Sequence, residues 1–227
     1  MKKRQRAYSQ ISHAVLDIKS RKEKASAIIG ILNRYKDLKN CRILDIGTGS
    51  GAIACELGKA GKAVYSVDIR DERIVKDNFT FKKIKNEKLP FAGGEFDIVI
   101  SNHVMAHVKN QEIHLKEISR VLKSDGIVYL SMLNRLCIIE PNFSLPFLSW
   151  LPKKLSDMYV RLAGKGKDYD VNPTTYSKFI AKASPYFDYE DLTIERIKKV
   201  MRMPRIVYRI FKQFSPVWIF VLTKKSI

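Results

Sequence analysis

The sequence predicts an α/β protein built on a mostly parallel sheet. From position 41 onward, short apolar runs alternate with helical patterns of about 10–15 residues. A cluster of glycines follows the first run, and an acidic residue closes the second. Alternation of this kind implies βαβ units with right-handed crossovers, and therefore strands that run parallel.

Residues 1–40 read as helical, because Ala7, Ile11, Ala14, Val15 and Ile18 recur at three-to-four spacing, as do Ala25, Ile28, Ile29 and Leu32. CRILDI (41–46) is apolar and ends on glycine, the pattern of a strand buried on both faces. A helix over 53–60 stops at Gly61, AVYSVD (63–68) is a second strand, and 71–79 is expected to be helical. A third strand at 81–85 is interrupted by lysines, whereas FDIVIS (96–101) is a clear fourth. Ile113, Leu115, Ile118, Val121 and Leu122 mark a helix stopped by the turn Ser124, Asp125, Gly126, and IVYLSM (127–132) is the fifth strand. Regularity then lapses over 134–190, with Pro141, Pro146, Pro152, Pro173 and an aromatic-rich helix at 155–163. This stretch is read as an insertion or lid in a single domain, 1–227. Two last strands, at 189–197 and 217–223, flank a basic helix at 206–214 bounded by Pro204 and Pro216.

The composition narrows the class. A chain of 227 residues suits one domain, and 45% apolar residues with eight prolines exclude general disorder. The longest apolar run, 217–222, has six residues against the roughly 20 of a membrane helix. MKKRQRAYSQ at the start is basic but meets no apolar segment of secretory type. Cys41, Cys55 and Cys137 are odd in number and far apart, which points to a reducing, cytoplasmic compartment. The net charge of +19 is concentrated at the ends: residues 1–40 carry +8, residues 196–227 carry +9, and the 155 residues between carry +2. Two uses of that charge stand open: an electropositive face for an anionic partner, or lysine-rich solubility.

The sharpest motif is ILDIGTGSGAIACELG, with Gly47, Gly49 and Gly51 between the first strand and a helix. Glycines let the backbone turn and approach a ligand closely, and the helix start offers free amides. The third glycine comes one residue earlier than in the dinucleotide fingerprint, which argues against a pyrophosphate and leaves another nucleoside ligand open. Asp68, 17 residues after Gly51, either accepts both hydroxyls of a ribose or caps the helix expected near Asp71. Asp45, inside an apolar strand, needs a donor: loop amides or the ammonium of a ligand.

Together with SVDI (66–69), LPFAGGEFDIVISNHVMAHV (89–108) and LKEISRVLKSDGIVYLSM (115–132), that motif resembles class I S-adenosylmethionine-dependent methyltransferases, most closely the ubiquinone/menaquinone-methyltransferase-like subgroup. The resemblance covers about residues 41–132 well. It implies a Rossmann-like, seven-stranded sheet with helices on both faces and the last strand antiparallel, with S-adenosylmethionine lying over residues 47–51. It places Asp45 and Gly47 by the methionine moiety, with Thr48, Gly49 and Gly51 along the loop and Asp68 and Ile69 at the ribose. Asn86 and Glu87 flank the adenine, and Ser101 to His103 face the sulfonium. Lys85 departs from the pattern, since relatives usually place an acid there; Asn86 or a main-chain carbonyl is then left to take the adenine amino group.

His103, His107 and His114 share one face if a helix starts near His103. No cysteine or tight acidic partner completes a metal set, so none is expected. His103 and His107 are the two catalytic positions considered, each as a general base near neutral pH or as a packed residue; His114 is expected at the surface. Transfer from a sulfonium also proceeds by alignment alone.

The acceptor is the less legible half. The resemblance assigns its pocket to the N-terminal helices (1–40) and the insertion (134–190). Phe143, Phe147, Trp150, Tyr159, Tyr169 and Tyr176 of the insertion either line a cavity or pack it onto the body. Leu145 to Lys154 and RMPRIVYRIFKQF (202–214) join apolar and basic faces, suited to peripheral contact with an anionic membrane at its inner face. A rim of Lys2, Lys3, Arg4, Arg6, Lys153 and Lys154, extended by Arg202, Arg205 and Arg209, is expected around the acceptor entrance. The expected function is methyl transfer to a small or lipid-linked, largely apolar acceptor. The alternatives are an RNA methyltransferase, with nucleic acid as partner, or a non-catalytic binding domain of the same shape.

Overall fold

The computed structural model describes residues 17–200 and 205–225. Ala7, Ile11, Ala14 and Val15 of the expected first helix lie outside the described residues, as do Lys2, Lys3, Arg4, Arg6 and Arg202 of the expected rim and the side chains of Arg205 and Arg209. The first described helix, α1 (Ile18–Leu32), is capped by Asp17, whose side chain accepts the amide of Ser20, and it buries Ala25, Ile28 and Leu32.

Seven strands form one sheet: β1 (Arg42–Ile46), β2 (Ala63–Asp68), β3 (Thr80–Lys83), β4 (Phe96–Asn102), β5 (Leu122–Leu133), β8 (Phe187–Asp191) and β9 (Val217–Lys224). Their order is β3-β2-β1-β4-β5-β9-β8, with β9 antiparallel to both neighbours and the other pairs parallel. The Rossmann-like sheet with an antiparallel last strand is therefore present. A two-strand hairpin, β6 (Ile139–Glu140) with β7 (Leu145–Pro146), stands apart.

Alternation along the strands divides the core in two. Ile43, Ile98, Ile100, Ile127, Tyr129 and Ile219 face α1 and α2 (Ala52–Ala60). Leu44, Val99, Val128, Leu130 and Phe220 face the opposite layer, α3 (Gln111–Val121) and α5 (Tyr176–Ala183). Both layers are built of buried apolar side chains, which explains why these strands read as continuous apolar runs. From the segment 134–190, α4 (Lys153–Leu162) and the buried Phe143, Leu148 and Tyr169 join the α1 side.

Three expectations are corrected. Residues 71–79 form no helix: the amides of Ile74 and Val75 both bond to Ser50 O at 3.0 Å, laying the segment across the start of α2. Glycine makes room for it, since a Cβ on Gly51 would sit 2.0 Å from Val75 O, and one on Gly58 1.8 Å from Asn78 O. Tertiary contact here overrides helical propensity. The strand expected over 189–197 ends at Asp191, whose Oδ1 accepts the amide of Thr193, and α6 (Thr193–Val200) follows. Ser124, Asp125 and Gly126 do not form a turn between elements; β5 starts directly after α3, and the irregularity is a register shift against β4. The basic helix is present as α7 (Arg205–Phe214).

Candidate active site

The loop after β1 is stitched to β2. Gly47 N and Thr48 N donate to Val67 O at 2.8 and 3.3 Å, and the Thr48 hydroxyl makes a short bond with Ser66 Oγ. Gly47, Gly49 and Gly51 all take positive φ, at 83°, 50° and 81°. Two of them are closed by protein: a Cβ on Gly47 would meet Val104 Cγ2 at 2.5 Å, and one on Gly51 would meet Val75 O. Gly49 alone opens onto space with no protein atom within 4 Å of a Cβ. The middle of the loop is thus bare backbone facing a void, which fits a ligand lying over it.

Asp68 ends β2 beside that void. Its Oδ2 accepts Gly49 N at 3.0 Å and its Oδ1 accepts Arg70 N at 3.1 Å. With no helix after it, the carboxylate is a loop clamp, not a helix cap. One amide on each oxygen leaves acceptor capacity for a pair of hydroxyls. The next residue, Ile69, is 54% exposed, an apolar side chain at the sheet's edge.

Asp45 is 2% exposed, and Ser66 Oγ donates to its Oδ2 at 3.2 Å. Burial pushes its pKa up to about 7; the Ser66 bond and Arg21 act the other way, and Asp68 adds to the rise. Among the described residues no ion pair reaches it. A buried, half-neutralised carboxylate beside an open loop fits a ligand ammonium.

The segment with Asn86 and Glu87 follows β3. Asn86 Oδ1 takes the amide of Lys88, closing a turn in which Lys85 and Asn86 are exposed. Glu87 Oε1 accepts the amides of Lys109 and Asn110 at 2.8 and 3.2 Å, bracing the start of α3. The LPF motif is a clamp on α3: Leu89 N donates to Glu117 Oε2, and Arg120 donates to the carbonyls of Leu89 and Phe91.

Beyond β4 lies a cavity of about 290 Å³ between α1, the ends of β4 and β5, and the start of α6. Its apolar wall includes Ala27, Ile31, Tyr129, Leu192 and Ile219, and its polar wall Asn102, His103 and Ser131. His103 has φ 63°, its amide bonded to Ser131 O at 2.9 Å. The following Val104 touches the Gly47 position, so cavity and loop adjoin.

The histidines depart from expectation. The helix starts at Gln111, not His103, so no helical face joins the three. Burial, with Lys24, Arg21, Arg196 and His107 adding to it, holds His103 down at about 3. It is neutral near pH 7 and too weak a base to be poised there as a proton acceptor. His107 is exposed in the next turn and does not line the cavity. His114 is buried, not at the surface: Ser101 Oγ and His114 Nε2 lie 2.9 Å apart under the sheet. Strand alternation therefore turns the Ser101 side chain away from the cavity, while Asn102 beside it lines the wall. Lys24 and Arg196, also on the wall, were missed; the signal for α1 was its stripe Ser20, Glu23, Lys24, Ala27 and Ile31 at helical spacing.

A family model described as "Methyltransferase domain" matches residues 44–130, from β1 into β5. The ubiquinone biosynthesis O-methyltransferase of Rickettsia bellii (strain OSU 85-389) is 27% identical over 185 residues, 73% of this chain and 66% of that protein. The protein of the same description from Bartonella quintana (strain Toulouse) is 30% identical over 134 residues, 52% of this chain and 53% of its own. Residues 44–130 thus match a methyltransferase domain, and the chain is similar to ubiquinone biosynthesis O-methyltransferases over part of their length. The chain spans less than two thirds of the length of these relatives. The fold agrees with solved structures: the PH0226 protein from Pyrococcus horikoshii OT3 superposes with a TM-score of 0.64 at 18% identity, covering 96% of this chain and 98% of that one. An S-adenosylmethionine-dependent methyltransferase from Mesorhizobium loti gives 0.63 at 12%, covering 90% and 100%. Among the described residues, no helix is long and apolar enough to cross a membrane.

Proposed function

We propose that the protein transfers the methyl group of S-adenosylmethionine to a small or lipid-linked, largely apolar acceptor held in the cavity beyond β4. The observation that carries this is the adjacency of two spaces: bare backbone at Gly49, and an apolar-walled cavity reached through Val104 and His103. Asp45 and Gly47 would hold the methionine end, Thr48, Gly49 and Gly51 the loop contact, and Asp68 the ribose hydroxyls. Ile69 would pack on the nucleoside, with the turn of Asn86 and Glu87 beside the adenine. The sulfonium, when bound, supplies an activated methyl group. The chain's part is to orient the two partners and exclude water. Neutral His103 and Asn102 would position the acceptor by hydrogen bonds. Calorimetry with S-adenosylhomocysteine tests the donor half: binding is expected, and Asp68→Ala should weaken it by about 2–4 kcal/mol if both hydroxyls are held. Absence of heat with folded protein would rule the reading out and favour the non-catalytic alternative.

The lipid-linked form of the acceptor draws on the relatives' description and on an exposed apolar surface. Leu155, Met158 and Leu162 are 46%, 47% and 79% exposed and share one face of α4; Phe147 and Trp150 are exposed nearby, their rings 5.1 Å apart. Lys153 and Lys154 open the same helix, although Lys153 pairs with Asp157. Such a surface would rest on anionic lipid. Sedimentation with anionic vesicles, and not with neutral ones or with bulk RNA, is the expected result; binding to RNA alone would replace the lipid reading.

A further inference from the structure

Resting on the methyltransferase reading, we propose that the acceptor carries an acid group, a carboxylate or a phosphate monoester, seated between Lys24 and Arg196. Its apolar body would run along Ile31, Leu192 and Ile219. Lys24 reaches the cavity from α1 and Arg196 from α6, two elements far apart in sequence that converge on one space. Among the described residues neither side chain forms an ion pair. Arg21, three residues before Lys24, adds a third cation. Their mutual effect is visible in two groups. Burial, then Arg21 and Arg196, push Lys24 down to about 8, and all three cations contribute to the low value of His103.

The carboxylates on the wall do not relieve this. Glu195 is engaged with Arg34 at 2.8 Å, Glu23 is exposed to solvent, and Asp45 sits on the donor side. Lys24 still feels a net cationic surround, with Arg21 and Arg196 lowering it and no carboxylate offsetting them, and an anionic ligand group relieves that as it binds. The cavity volume lies at the lower end of the roughly 300–1,000 Å³ typical of small-molecule sites, room for one ring and its acid. The acid group is a binding handle, away from the methylated atom.

The test uses the full chain saturated with S-adenosylhomocysteine and three probes: benzoate, phenyl phosphate and the neutral isostere benzamide. At least one acid is expected to bind about tenfold or more tighter than benzamide, and the tighter of the two identifies the acid preferred. Lys24→Met and Arg196→Met should each lower that affinity about tenfold and leave benzamide and S-adenosylhomocysteine affinities unchanged; the last also reports that the variants fold. Lys24 is charged below about 8, so acid affinity should be highest near pH 7 and fall about tenfold by pH 9.5, with benzamide level. The other titratable and charged groups facing Lys24 are Arg21 and Glu23 on its own helix, Glu195 and Arg196 of α6, His103 and Tyr129 on the cavity wall, and Asp45 beyond Arg21. His103, held at about 3, stays neutral over that range, and Tyr129, pushed up to about 12, stays protonated. Equal binding of benzamide and both acids, unaffected variants, a flat pH profile, or no probe binding at all would overturn the acid handle. Failure of S-adenosylhomocysteine to bind wild-type protein would instead overturn the methyltransferase reading on which it rests.

Discussion

The glycine loop and the neighbouring cavity have opposite polarity. At the loop, the proposed donor side, Asp45 and Asp68 stand around bare glycine backbone; at the cavity, the proposed acceptor side, Lys24 and Arg196 join the wall with Arg21 close behind. Burial moves Asp45 up to about 7 and Lys24 down to about 8, so each side holds an ionisable group near the neutral range that a ligand of opposite charge would fix. Under the proposed function the difference is one of recognition: the donor would be held by main-chain geometry backed by one or two acids, the acceptor by side chains delivered from separate helices.

The largest effect expected from breaking this polarity is at Asp45. Its folded pKa of about 7 lies above the ordinary value of 3.8, so between those values the folded state holds a proton that the unfolded state has lost. Stability without ligand should therefore fall as pH rises from about 4 to about 7, by an upper limit of about 4 kcal/mol, and level off above. Asp45→Asn should remove that slope, stabilise the free protein at pH 7.5 and weaken S-adenosylhomocysteine binding. His103 and His114, held at about 3 and about 4, act in the opposite sense below pH 6.5, so the measurement is the difference between wild-type and variant urea unfolding across pH. In wild type, donor-product binding near pH 6.5 should release protons, seen as calorimetric heats that vary with buffer. A variant that keeps both slope and affinity would mean that Asp45 is only a packed acid.

The same contrast explains what was legible in the sequence. Strands β1, β4, β5 and β9 could be read because they are buried on both faces, and the glycine loop could be read because its backbone takes positive φ at all three glycines. What failed lay where side chains of distant segments meet. The segment 71–79 has helical composition, but Ser50 O and the glycine gaps at Gly51 and Gly58 hold it flat. Ser101 and His114 each looked like surface or ligand-facing residues until strand alternation paired them under the sheet. Lys24 and Arg196 share no motif, and only the packing of α1 and α6 brings them to one cavity.

The three glycines of the loop sharpen the comparison within a single motif. Gly51 has φ 81° and Val75 O lies 2.0 Å from the position of a Cβ, a contact with backbone that no side-chain movement relieves. Gly51→Ala should therefore cost about 3 kcal/mol of stability, combining left-handed strain with overpacking, and lower the urea midpoint accordingly. Gly49 has φ 50° but meets nothing within 4 Å, so Gly49→Ala should cost only about 1 kcal/mol. Its effect belongs to the ligand: a methyl group there enters the space above the loop, and S-adenosylhomocysteine affinity should drop more than tenfold in a protein that still unfolds cooperatively. Wild-type affinity in Gly49→Ala would show that the donor does not run over residues 47–51. The donor site would then have to lie elsewhere along the sheet's C-terminal edge.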